Sequence, residues 1–357
     1  MFGGCVLVKA ALQITSLHCK LGSKGFRKCH TGTLHQEKMR PSGSMPQPRV
    51  KLVVTGDDLG YCPRRNRGIV DCFLAGALSN VSLLVNGSAA EHAADLARRH
   101  KIPAGLHANL SEGLPVCQKL RKRSTLVNKD GFFHGKMGFR KVLQNGHLNM
   151  AEVDLELRAQ VKKFYELMGH LPHHMDGHQH VHVLPEVRDV FARILSDYGV
   201  PYTRVPVEPG LRSCPWLAPP LQEFYMQVEE DAWGSVGVFR KHGIRWPCVY
   251  LGLTTMGENM SLTSIKRAIG NALEASRPGN HSILPQCDTT RSDCPTTVEL
   301  MVHPGYPSDP QQGGCGEGPD SFSQSLDRQH ELDTLMDPEL LNFYTQEQIQ
   351  LCAFKDL

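Results

Sequence analysis

From Val50 onward the chain alternates short β-like runs with amphipathic helical ones, and this alternation confines it to α/β folds built on a parallel sheet. VKLVVT (50–55), NVSLLVN (80–86) and IPAGLHANL (102–110) read as strands. The first two are followed by helical stretches, one carrying Ile69, Cys72 and Phe73 and the other AAEHAADLARRH (89–100). A polar, Gly-rich connection runs from 110 to about 150, long enough to serve as a lid or substrate wall. Val153, Leu157, Val161, Phe164 and Leu167 then mark a helix ended by Gly169; Val187, Val190, Phe191 and Ile194 mark another ended by Gly199. Between them HHMDGHQHVHV (173–183) reads as extended. PYTRVPV (201–207), CVYLGLT (248–254), VELMVHPG (298–305) and IQLCAF (349–354) complete the strands, with helices over 217–241, 261–275 and 322–336. Eight strand candidates linked through helices predict one closed β/α barrel of the TIM-barrel type over residues 49–357, in preference to an open doubly wound sheet.

Composition excludes several classes. A formal charge of +3 over 357 residues is too small for polyanion binding to be the default, so nucleic acid is not an expected partner. No run approaches 18 apolar residues, so no membrane span is expected. The 12 Cys form no CxxC pair, which predicts free thiols in a reducing, cytoplasmic setting. Residues 1–48 hold seven Lys or Arg against Glu37, a net +6 that leaves −3 for the rest. This leader has the basic character of an organelle transit peptide, although Lys9 interrupts the apolar run of a secretory signal. It is set apart from the fold as an extension. The Pro-, Ser-, Thr- and Cys-rich stretch 276–297 reads as an inserted loop.

The chemistry lies in the 18 His and in where some of them fall. VVTGDD puts Asp57 and Asp58 after the first strand, AGLH puts His107 on the third, HHMDGH puts Asp176 and His178 on the fourth, and MVHPG puts His303 on a late one. Each alone has a bland reading, a turn or a buried core histidine. Convergence is the stronger argument, because parallel α/β folds build their sites at the carboxyl ends of their strands. One carboxylate with two imidazoles is a common ligand set for a divalent ion. Successive side chains on a strand diverge, so of Asp57 and Asp58 one is expected to ligate and the other to act as a free general base. His180 and His182 are read as supporting or wall residues, and Arg64, Arg65 and Arg67 as a solvated patch.

TGDDLG (55–60), VSLLVNG (81–87), GLHANLSEG (105–113), HHMDGHQHVH (173–182), ELMVHPGY (299–306) and GGCGEGPDSFS (313–323) together resemble the YdjC-like carbohydrate deacetylases. The resemblance implies a metal-dependent β/α-barrel hydrolase that removes acetyl groups from N-acetylated sugars or oligosaccharides, with Mg²⁺ the expected ion and Zn²⁺ equally suited to the ligands. Carried over by position, it implies Asp58, His107 and His178 as metal ligands, Asp57 as proton acceptor and His303 as the acid for the departing amine. A homodimer is a further family expectation. The rivals are another barrel metallohydrolase, an amidase or phosphoesterase, and a non-catalytic carbohydrate-binding or interaction protein on the same barrel. A phosphoesterase would bring several Arg or Lys to the strand ends, and none is evident in the sequence.

Overall fold

The computed structural model describes residues 49–277, 284–285 and 295–357. The N-terminal extension and most of the expected inserted loop fall outside the described residues. Strands and helices follow in the order β1 (Val50–Leu59), α1 (Pro63–Leu74), β2 (Asn80–Leu83), α2 (Ala90–His100), β3 (Ala104–Ala108), α3 (Lys136–Gln144), α4 (Met150–Met168) and β4 (Met175–Gly177). After these come α5 (Val187–Tyr198), α6 (Pro219–Lys241), β5 (Val249–Leu251), α7 (Leu262–Ala275), β6 (Thr296–Val302), α8 (Ser321–Gln324), α9 (Asp327–Leu335), α10 (Pro338–Gln346) and β7 (Ile349–Leu351).

The helices form where apolar periodicity meets a local start or stop. Asn149 caps α4 by accepting from the Ala151 N–H, and Gly169 ends it in the left-handed region at φ 80°. Between those ends Val153, Leu157, Val161 and Phe164 are fully buried against the sheet layer. α6 starts on Pro219, whose missing N–H is harmless in a first helical turn.

Every strand pairing is parallel, in the order β4-β3-β2-β1-β6-β5, with β7 alongside β1. β1 is the central strand. Seven of its residues, Val50 to Gly56, pair with β6; on its other side Val50–Leu52 meet β7 and Thr55–Leu59 meet β2.

The strands form an open arc and not the closed barrel expected. The gap lies between β4 and β5, where 201–207 was expected to be a strand. Pro201 and Pro206 lack the N–H that a ladder needs, so this segment makes only an isolated bridge, Tyr202 with Arg245. It still lies in the gap: Met175 N donates to Tyr202 O at 3.0 Å, and Thr203 N donates to Arg245 O at 3.0 Å. The fold is therefore barrel-like and parallel without being a closed barrel.

Two further expectations change. The extended reading of 173–183 holds only for β4, after which His178–Val183 wind into a 3₁₀ turn. Cys62, Cys72, Cys117, Cys214, Cys315 and Cys352 are free thiols as expected, whereas Cys248 is disulfide-bonded.

Candidate active site

Asp57, Asp58, His107, His178 and His303 all line one cavity of about 380 Å³, at the carboxyl ends of the strands that carry them. Each arrives by a local device. Asp58 adopts φ 63°, a left-handed conformation that Asp tolerates better than most side chains, and Gly60 follows at φ 102°. A Cβ on Gly60 would lie 2.7 Å from the Leu84 carbonyl oxygen, so the turn needs glycine there. The left-handed step overturns the expectation that adjacent aspartates diverge: Asp58 Oδ1 and Asp57 Oδ2 lie 3.5 and 3.8 Å from the same His107 Nε2. His107 pairs in register with Asp176 across β3 and β4; His178 follows β4 directly, and His303 follows β6.

Asp58, His107 and His178 fit a divalent ion. Their ligand atoms lie within 4.8 Å of one another, and His178 Nδ1 is 3.2 Å from Asp58 Oδ1. That oxygen is buried without a hydrogen-bond partner. Each imidazole has its remote nitrogen tied to a carboxylate, His107 Nδ1 to Asp176 at 2.6 Å and His178 Nε2 to Glu112 at 2.9 Å. Such pairs fix the ring and strengthen it as a ligand. Burial works to lower both histidines, but Asp57 and Asp176 hold His107 up at about 9, and Asp58 and Glu112 hold His178 up at about 10. Burial would raise Asp58, yet the imidazoles of His107 and His178 beside it keep it well below the usual carboxylate range.

Asp57 is held from the opposite direction. Arg204 Nη1 and Nη2 reach its two oxygens at 2.6 and 2.9 Å, and Nη2 also meets Glu299 at 2.8 Å and Asp176 at 2.9 Å. All four side chains are buried. Burial pushes the Asp57 carboxyl up while Arg204 opposes it, and the net effect is a carboxyl more basic than an exposed one. Arg204 was not singled out from the sequence because it sits in an apolar run broken by prolines, and its partners are remote in the chain.

The arginines correct two readings. Arg65 is fully buried, not part of a solvated patch, and its Nη1 lies 3.3 Å from Asp58 Oδ2. Arg65, Arg204 and Arg328 do surround the strand ends, but each is engaged with a carboxylate, Arg328 with Glu331 at 3.1 Å. Glu331 also accepts from the His303 backbone N–H at 2.5 Å and from Gly257 N at 2.7 Å, tying two strand-end loops together. The His303 ring packs edge-on to Phe322 with centroids 5.2 Å apart. Burial, reinforced by Arg328 and Arg65, holds its pKa well below the ordinary value, so the resting imidazole is neutral.

The other two histidines separate. Gln179 and His180 take left-handed φ of 53° and 61°, which breaks the period-two alignment of 178, 180 and 182. His182 Nε2 meets Arg204 O at 3.0 Å and so braces the clamp on Asp57; His180 lines the cavity beside Tyr250. Glu112 and Lys136, from the long 110–150 connection, form part of the cavity wall.

The chain matches the YdjC-like protein family over residues 51–346. It is 68% identical over 316 residues to a carbohydrate deacetylase of Danio rerio, covering 87% of this chain and 100% of that relative. It is 52% identical to the human carbohydrate deacetylase over 313 residues, covering 88% and 93%. A chitooligosaccharide deacetylase of Serratia marcescens is 34% identical over 151 residues, 42% of this chain and 57% of that one. The solved structure of a candidate cellobiose-phosphate cleavage protein from Enterococcus faecalis V583 superposes with a TM-score of 0.60 at 19% identity, over 86% of this chain and 98% of that one, which speaks to the fold alone. On the extent of the family match and the identity to these relatives, the chain belongs to the YdjC-like protein family.

Proposed function

We propose that this protein is a metal-dependent carbohydrate deacetylase that hydrolyses the acetamide of an N-acetylated sugar. The observation that carries the reading is the Asp57–Arg204 fork next to the Asp58, His107 and His178 triad: a clamped, free carboxylate beside a set of ion ligands. A divalent ion held by that triad, Mg²⁺ or Zn²⁺, would supply carbonyl polarisation and a more acidic water. The kinship to carbohydrate and chitooligosaccharide deacetylases supports the substrate class.

The residues divide the work. Asp57 takes a proton from the attacking water, and Arg204 fixes the direction of its oxygens. Asp176 and Glu112 keep the two imidazoles oriented, as the ligand set requires. His303 starts neutral, so it enters as an N–H donor towards the substrate. Negative charge developing on the carbonyl oxygen favours a proton on the ring; the proton that Asp57 took from the water reaches the ring and passes to the leaving nitrogen as the C–N bond breaks, so both residues return to their starting states. No helix among the described residues is long and apolar enough to cross a membrane. A phosphoesterase is disfavoured because the three arginines at the site already carry carboxylates.

The test is acetate release from di- and tri-N-acetylated chitooligosaccharides by the full chain, with metal content measured and with and without chelator. Chelator-sensitive acetate supports the reading. A folded, metal-loaded protein that binds these sugars and releases no acetate would make it a binding protein instead.

A further inference from the structure

Lys136 opens α3 on the wall of the same cavity, and it makes no hydrogen bond or ion pair with any described residue. Its ammonium lies 3.6 Å from the centroid of the Phe224 ring. The charged side chain that bears on it is Arg140, a like charge already engaged with Asp231 at 3.0 Å. The other cavity cations are neutralised: Arg204 by Asp57, Asp176 and Glu299, and Arg328 by Glu331. Of the cavity acids, Asp57, Asp58 and Glu112 are in turn occupied by arginine or histidine, whereas Glu258, Asp320 and Asp327 line the same cavity with no ion pair to a described residue. Lys136 is thus a half-buried cation without a counter-charge, in a site where the groups of the reaction are paired among themselves. Burial and Arg140 pull its pKa down to about 8, which leaves it mostly charged at neutral pH.

The same cavity wall carries Gln179 and His180, consecutive non-glycine residues in the left-handed region, whose side chains make no hydrogen bond with any described residue. Such backbone strain is kept where the surrounding structure enforces it, commonly at ligand sites. His180 is only 7% exposed, and its Nδ1 is buried without a partner. An aromatic face, two polar side chains without hydrogen-bond partners and one uncompensated cation form a surface suited to a sugar that bears a single negative charge.

We propose that Lys136, with Gln179, His180 and Phe224, is a carboxylate-reading subsite, and that the substrate is an N-acetylated sugar joined to a uronic acid. The proposal rests on the deacetylase reading and narrows its substrate. A carboxylate matches one ammonium flanked by an amide and an imidazole that have no hydrogen-bond partners. A phosphate, nearly doubly charged at neutral pH, is usually met by several cations or a bidentate arginine, which this wall does not offer.

The test compares acetate release by the full, metal-loaded chain from two disaccharides, neutral di-N-acetylchitobiose and N-acetylglucosamine linked to glucuronic acid. Calorimetric Kd values for both are measured in parallel. The expected result is a preference for the acidic disaccharide, with the ratio of kcat/KM, acidic over neutral, falling about tenfold in Lys136→Met and largely kept in Lys136→Arg. The calorimetric affinity for the acidic sugar should fall by a similar factor. An unchanged ratio and an unchanged Kd in Lys136→Met overturn the subsite. A stronger, Lys136-dependent preference for a 6-phosphorylated N-acetylated disaccharide overturns the carboxylate assignment. Absence of acetate from every sugar counts against the deacetylase reading instead, and the Kd values then decide the subsite by themselves.

Discussion

Arg204 grips Asp57 with two parallel hydrogen bonds of 2.6 and 2.9 Å, joining residues 147 positions apart in the chain. The fork fixes both oxygens of the proposed base, and a lysine cannot reproduce it because its ammonium is a point charge. Arg204→Lys should therefore keep the fold and the bound ion while lowering kcat by about 10- to 100-fold, read from acetate release together with metal content. A variant with wild-type kcat would show that the clamp does not orient the base. Arg204→Met is the poorer test, because three buried carboxylates would lose their counter-charge and stability would fall with activity.

Asp57→Asn removes the proposed proton acceptor and leaves the triad of Asp58, His107 and His178 in place. Turnover should drop at least ~100-fold with metal stoichiometry unchanged. Asp58→Asn should show the reverse order of effects, losing the ion first and activity as a consequence. Metal analysis of the two purified variants separates the roles. Wild-type metal content in Asp58→Asn would remove it from the ligand set.

Ion uptake should release protons. The surrounding carboxylates hold His107 up at about 9 and His178 at about 10, so before an ion binds both should carry a proton at pH 7 and must give it up to ligate. Titrating the metal-free protein in buffers of different ionisation enthalpy should show about two protons released per ion at pH 7. The apparent affinity should weaken as pH falls. A pH-independent affinity would place the ion on other groups.

Glu208 provides a pH probe outside the ligand set. It is buried and accepts from Leu253 N at 2.6 Å and Thr254 Oγ1 at 2.5 Å, and burial raises its pKa from 4.5 to about 7 against those hydrogen bonds. The folded state therefore holds a proton that the unfolded state has released between these values. Its stabilising effect is complete below about 4.5 and is lost as pH rises through about 7, a change of about 3 kcal/mol. Glu208→Gln should flatten this part of the stability profile, measured by urea unfolding from pH 4.5 to 8. An unaltered slope would show that Glu208 stays ionised in the fold.

The strand-helix alternation was legible because apolar periodicity and local stops are short-range properties. Gly169 and Gly199 end their helices as their positions suggested, at φ 80° and 69°. Asp57, Asp58, His107, His178 and His303 were legible as well, because parallel topology sends strand ends to one place, and one cavity holds all five. Closure of the barrel was not, since it depended on whether 201–207 could join a ladder. The prolines argued against it, but the run of apolar residues around them reads as a strand.

The sequence by itself determined the parallel α/β class and the strand ends that carry the candidate site, since both follow from residue type and local spacing. Only the tertiary structure decided the pairings among charges. Arg204 among Asp57, Asp176 and Glu299, Arg65 against Asp58, and Lys136 left without a partner are all outcomes of which distant segments meet out of water. Burial weakens screening, so these meetings set which groups are ionised, and no short stretch of sequence contains both members of such a pair.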